Sequence, residues 1–305
     1  MSTIIILNHI HKDFPLIIAA NRDEDYGRPS GPVQVLTNEP HIIIGGRDEV
    51  KGGTWLGVNK ASLFAAITNQ GVKDNTKETS RGQIVLDVLK CASLEEMITY
   101  VEGINPDLFN GFNLVFGNNE RVYVAYSYIL PSTMVISELP RGVNIVSSDM
   151  ISNRPNDRKS FIHQKLAALP VDWLKAYKTL KKLLSNSDYE IKLKPKKRNG
   201  KLQGYCTKSS SILAFDGNGL ARYKFHDRIG YKPRKDELEP WVPRYKDYVD
   251  LMRDGKATGG SYSEETPADD VEGAILDSKR ILAEMKKIKE RTSYFGKMGF
   301  FDRDK

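Results

Sequence analysis

The densest run of chemically able side chains is Asn21-Arg22-Asp23-Glu24. It sets a guanidinium that stays charged at physiological pH beside two carboxylates and a primary amide. Burying such groups is costly unless they pair, so the tetrapeptide is either a structural ion-pair knot or part of a site. Taken alone it favours the knot, because charged tetrapeptides are common in turns. Other reactive types are scattered. His9, His11, His41, His163 and His226 share no metal-ligand spacing and read as surface or core histidines. The two cysteines, Cys91 and Cys206, supply neither a disulfide framework nor a thiolate cluster for zinc. Cys206 lies near Lys208 but reads as a small buried residue. No phosphate-binding or dinucleotide glycine fingerprint occurs. No metal and no cofactor is expected.

The elements that must position the tetrapeptide are strand-like. Apolar runs at 3–10 and 14–20, separated by His11-Lys12-Asp13, predict an initial hairpin whose second strand ends on Asn21-Arg22-Asp23-Glu24 and whose first begins beside position 2. Tyr26-Gly27-Arg28-Pro29-Ser30-Gly31-Pro32 is rich in breakers and reads as a loop, followed by a strand at 41–44. A second hairpin runs from Thr54 through Leu63 to Ile67 and ends on Thr68-Asn69. Asn69, read on its own, is a turn residue tolerant of left-handed geometry.

Helical spacing then takes over, with Ile84, Val85, Val88 and Leu89 on one face and Leu94, Met97, Ile98 and Val101 on another. Ser93 and Glu96 form a capping box. Hairpins return at 111–126 and at 210–225, with a helical stretch predicted over 157–185 between them. Strands, helices, strands, helices, strands is the order of a layered α+β domain. Beyond residue 228 the character changes. Prolines break a charged aromatic stretch, a Gly/Ser/Thr-rich linker covers 255–267, and an amphipathic helix carrying Val271, Ile275, Ile281, Leu282, Met285 and Ile288 follows. Residues 229–305 read as a C-terminal helical extension of a domain spanning 1–228.

The 305 residues are 40% hydrophobic and 9% aromatic, enough for a sizeable core. No apolar run approaches the ~20 residues of a membrane span, and the N-terminus lacks the pattern of a signal peptide. With few cysteines, a cytoplasmic setting is expected. The net charge of +7 is locally concentrated in Lys192-Leu193-Lys194-Pro195-Lys196-Lys197-Arg198, which reads as a solvated loop. Aromatic residues do not interleave with it, so no nucleic-acid partner is expected.

Several short segments acquire meaning in combination. Gly45-Gly46-Arg47-Asp48, Gly52-Gly53-Thr54-Trp55-Leu56-Gly57-Val58, Ala66-Ile67-Thr68-Asn69, Ser80-Arg81-Gly82, Phe112-Asn113-Leu114-Val115 and Tyr205-Cys206-Thr207-Lys208-Ser209-Ser210 follow the tetrapeptide in order. With it they resemble the NRDE proteins, which include the transport-and-Golgi-organisation-2 proteins, over residues 1–228. That family is similar to the N-terminal-nucleophile hydrolases, and the resemblance implies a four-layer αββα sandwich.

The resemblance also implies roles. Ser2 would be the nucleophile, with its own α-amine, freed by loss of Met1, as the base. Such an amine has a pKa of about 7.7–8.0, which suits the task. Arg22 and Asp23 would orient the nucleophile and its amine, and Asn69 would donate to the oxyanion. Asn21, Ser148 and Lys208 would help to hold substrate. Ser2 stands where the relatives usually carry cysteine, Ser148 where the family has asparagine, and Lys208 where it has arginine. Two functions follow: an amidohydrolase acting on a small amide or acylated amine, or a non-catalytic binding or trafficking protein that holds a lipid-like, acyl or haem-like ligand in the same pocket.

Overall fold

A computed structural model describes residues 2–70, 77–130, 132–148, 156–189, 191–198 and 200–228. The expected C-terminal extension, with its linker and helix, lies outside these residues.

Alternating apolar residues close the chain into two antiparallel sheets. The first contains five strands in the order β10 (Gly142–Val146), β1 (Thr3–Asn8), β2 (Leu16–Asp25), β13 (Tyr205–Asp216) and β14 (Gly219–Asp227). The second is a seven-stranded meander: β3 (Ser30–Thr37), β4 (Ile43–Asp48), β5 (Leu56–Asn59), β6 (Phe64–Asn69), β7 (Phe112–Gly117), β8 (Val122–Leu130) and β9 (Thr133–Glu138). Ile4, Ile6, Leu16 and Ile18 from the first sheet meet Val33, Ile44, Val58 and Phe64 from the second in a common core. Period-two alternation sends the intervening residues the other way. Ile5, Ile17, Ala19 and Ile212 pack under α3 (Asp157–Leu166) and α4 (Trp173–Leu184). Ile43, Ala65, Leu114 and Phe116 pack under α1 (Arg81–Leu89) and α2 (Leu94–Glu102). The layers therefore stack as helix, sheet, sheet, helix, and the strands buried on both faces read as continuous apolar runs for that reason.

The helices carry the expected signals, with one change of detail at the capping box. The Ser93 hydroxyl accepts from the Glu96 amide, while the Glu96 carboxylate accepts from Ala92, one residue before the cap. The single helical stretch expected at 157–185 is two helices. Pro170 follows the end of α3, and Asp172 recaps the chain by accepting from the Lys175 amide. The breaker-rich loop also shortens, because Ser30, Gly31 and Pro32 belong to β3. That strand is at the sheet edge, with a register irregularity between Ser30 and Val33, which is where a proline without an amide proton is tolerated. The basic run is exposed as expected, but its end is ordered: Lys196–Arg198 (β11) pairs with Lys201–Gln203 (β12) as a small separate hairpin.

Candidate functional site

On β2 the residues Leu16, Ile18 and Ala20 face the core between the sheets, whereas Ile17 and Ala19 face α3 and α4. Continuing that alternation divides the tetrapeptide. Arg22 and Glu24 emerge at the open end of the space between the sheets, Asn21 points into the helical layer, and Asp23, late in the strand, reaches the edge of the same open end. Ser2, just before β1, shares the parity of Ile4 and Ile6 and so comes to the same open end as Arg22.

A pocket of about 330 Å³ lies there, and Ser2, Arg22, Asp23 and Asn69 all line it. The Ser2 hydroxyl oxygen accepts from the Asp23 backbone amide at 3.2 Å. The Asp23 carboxylate accepts from the Thr207 hydroxyl at 2.6 Å. Burial raises the Asp23 carboxyl above its ordinary pKa, and the Thr207 hydrogen bond pulls against that rise. Asn69, the last residue of β6, donates from Nδ2 to the Tyr205 hydroxyl at 3.2 Å.

Arg22 is only 5% exposed and is held on several sides. It donates from Nη1 to the Ser30 hydroxyl at 2.7 Å and from Nη2 to Asp48 Oδ2 at 3.2 Å. Its guanidinium carbon sits 4.3 Å from the centre of the Trp55 ring, within cation–π range. Desolvation lowers the Arg22 pKa, against the pull of Glu24 and Asp48, but a guanidinium remains charged throughout. Asp48 also takes a fork from Arg28, at 2.8 and 3.1 Å, and the amides of Val50 and Lys51. Burial alone would raise the Asp48 carboxyl; the Arg28 fork and these amides bring it below its ordinary pKa.

The glycine pairs build the opposite wall. A β-carbon on Gly46 would lie 2.3 Å from the Trp55 ring, so only glycine lets the indole lie on β4 beneath Arg22. One on Gly53 would lie 2.5 Å from the Gly82 carbonyl carbon, and the Thr54 amide donates to the Gly82 oxygen at 3.2 Å. This backbone contact brings Arg81, the first residue of α1, to the pocket, where Nη1 donates to the Gly111 carbonyl at 2.9 Å.

Three expected substrate-holding residues lie outside the pocket. Asn21 is buried, donates to the Leu184 and Ile191 carbonyls at 2.9 and 2.6 Å, and joins the first sheet to the α4 end. Ser148 is buried just after β10; the neighbouring Ser147 carbonyl accepts from Thr68 and Asn113 of the second sheet. Lys208 sits in a register irregularity: Thr207 pairs with Asp23 and Ser209 with Arg22, leaving Lys208 as the extra residue of a bulge. Its ammonium donates to the Tyr26 carbonyl at 2.7 Å. Cys206 is fully buried, and desolvation raises its thiol pKa. The lining residues Arg28, Asp48, Trp55, Arg81 and Tyr205 lacked assigned roles in the sequence, although all but Arg28 lay within the segments that carry the family resemblance. The paired glycines were the usable signal, since they mark close backbone approaches.

Residues 1–231 match the family described as Transport and Golgi organisation 2. The Transport and Golgi organization protein 2 homolog of Bos taurus is 35% identical over 107 residues, which are 33% of this chain and 38% of that protein. The homolog of Homo sapiens is 36% identical over the same length and coverage. These alignments thus span well under half of the curated relatives. Among solved structures, the Caenorhabditis elegans N-acylethanolamine-hydrolyzing acid amidase ortholog superposes with a TM-score of 0.48 at 14% identity, covering 69% of this chain and 92% of that one. Penicillin V acylase from Agrobacterium tumefaciens gives a TM-score of 0.44 at 12% identity, covering 75% and 87%. Since residues 1–231 take in every element from β1 to β14 and the whole of the pocket, the chain belongs to the Transport and Golgi organisation 2 family.

Proposed function

We propose that the chain is an N-terminal-nucleophile-like amidohydrolase acting on a small amide or acylated amine, with Ser2 as the nucleophile. The observation that carries this reading is the convergence of Ser2, Arg22, Asp23 and Asn69 on one pocket although they span positions 2 to 69. Loss of Met1 would free the Ser2 amine. That amine takes the hydroxyl proton as Oγ attacks the amide carbonyl, and then passes it to the departing amine. Asn69 Nδ2 donates to the oxyanion, and Asp23 holds the protonated terminus. Water resolves the resulting ester by the same route, returning the serine hydroxyl and releasing the acid. Arg22, clamped by Ser30, Asp48 and Trp55, supplies a positive field that needs no reorganisation during the reaction.

A polar lining that includes Arg22, Glu24, Arg28, Asp48 and Arg81 suits a small polar amide better than haem or a long acyl chain, which weighs against simple retention of a lipid-like ligand. Intact-mass spectrometry of the native protein, before and after incubation with an acylating amide, tests the reading. The expected result is loss of Met1 and a single acyl adduct that the Ser2→Ala variant does not form. Full retention of Met1, or equal amide turnover by Ser2→Ala, would overturn it.

A further inference from the structure

Beside the Ser2 pocket runs a wider groove of about 1040 Å³, and Tyr205 lines both. One wall of the groove is the basic run, whose cations Lys192, Lys194, Lys196 and Arg198 line it together with Leu193. Pairing of β11 with β12 sets Arg198 directly opposite Lys201 and Lys196 opposite Gln203. Like charges opposed across a ladder destabilise it, and the described ion pairs use none of these cations. Two carboxylates, Asp25 and Asp188, also reach the groove, and Asp25 is already engaged by the Gly27 amide. The lining therefore keeps an excess of positive charge that is not neutralised within the described residues.

We infer that this groove is an anion subsite that takes a multiply charged, phosphate-bearing group of a ligand whose remainder reaches the Ser2 pocket past Tyr205. The last clause rests on the proposed function; the groove's charge and shape do not. Lys196 and Arg198 alternate on β11 and so lie about 6–7 Å apart, with Lys192 and Lys194 lining the groove ahead of them, so the cations form a row rather than a point. A lone carboxylate would engage one end of that row, whereas a di- or triphosphate presents oxygens along it. Arg198 adds a planar fork that fits phosphate, and the lysines add point charges.

The test is calorimetric titration of the full chain with inorganic tripolyphosphate, together with hydrogen exchange. The parent is expected to bind, with exchange slowed over residues 192–206. The combined K194E/K196E/R198E variant is expected to bind about tenfold or more weakly, as loss of several phosphate contacts implies. Charge reversal on the exposed face of α4, K175E/K178E/K182E, changes net charge equally and is expected to leave affinity within about twofold, the scale of screened distant charges. Ser2→Ala is expected to bind as the parent does, so that failure of the amide chemistry and failure of the subsite are read separately. Absence of tripolyphosphate binding, equal weakening by both triple variants, or protection away from residues 192–206 would each overturn the inference. Binding only to vesicles containing phosphatidic acid, and not to free tripolyphosphate, would replace it with a membrane-surface contact.

Discussion

Asn69 and Tyr205 meet at the pocket from opposite sheets: the side-chain amide of the last residue of β6 donates to the hydroxyl of the first residue of β13 at 3.2 Å. An amide held in this way is aimed before substrate arrives. Asn69→Ala is expected to lower kcat for a small amide by about 10²–10³-fold, the usual effect of losing one oxyanion donor. Tyr205→Phe removes only the resting partner and is expected to keep kcat near that of the parent. Steady-state kinetics decides the matter, and an Asn69→Ala enzyme with parental kcat would remove Asn69 from the mechanism.

The glycine wall makes a steric prediction. Gly53→Ala would drive a methyl into the backbone of Gly82 and Gln83, and a loss of about 1–3 kcal/mol is expected, as for overpacking elsewhere. Gly217→Ala meets nothing within 4 Å and serves as the matched control. Its expected effect is neutral to about 1 kcal/mol stabilising, because alanine restricts the unfolded chain. Paired urea melts of the two variants measure the difference.

Within the tetrapeptide, Asn21 and Arg22 should fail differently. Asn21→Ala strands the Leu184 and Ile191 carbonyls, and a loss of about 2–4 kcal/mol is expected from two unsatisfied acceptors. Arg22→Lys keeps the charge but loses the planar fork and much of the stacking on Trp55, so turnover is expected to fall more than stability. Chemical denaturation and kinetics on both variants separate the two effects. Equal stability losses with equal kinetics would refute the division of labour along β2.

His226 gives a pH dependence with a definite sign. Burial lowers its pKa from 6.5 to about 4, helped by the charges of Lys181, Arg228 and Lys224, and its Nε2 lies 2.9 Å from the Tyr177 hydroxyl. The unfolded chain therefore binds more protons than the folded one between these values, so stability falls as the pH drops from about 6.5 to about 4. Melting temperature followed across that window should decline in the parent and decline less in His226→Gln. Asp48 acts lower down: its depressed pKa makes its contribution present above about 3.9 and lost on further acidification.

Much of this arrangement was legible from periodicity. Strands buried on both faces write themselves as apolar runs such as Ile4-Ile5-Ile6-Leu7, and the helix faces at Ile84–Leu89 and Leu94–Val101 repeat at helical spacing. What escaped was set by neighbours rather than by local pattern. Pro32 breaks a chain segment in isolation, yet an edge position and a bulge accept it in β3. Similarly, nothing in Thr207-Lys208-Ser209 announces that Lys208 is the bulged residue, because only the ladder with β2 makes it the extra one. A structural ion pair and a place in the candidate site are not alternatives here: Arg22 is paired with Asp48 and also lines the pocket.

The alternation along β2 has a consequence for how this segment can vary. Asn21 and Arg22 serve opposite faces of the same strand, so inserting or deleting one residue between Leu16 and Ala20 would exchange their destinations. The guanidinium would be driven among the helices, and the asparagine would stand over Trp55. A two-residue change would preserve both faces and shift only the depth at which they emerge. Length changes in this stretch should therefore be tolerated by parity, and the segment behaves as a counting device whose unit is two residues.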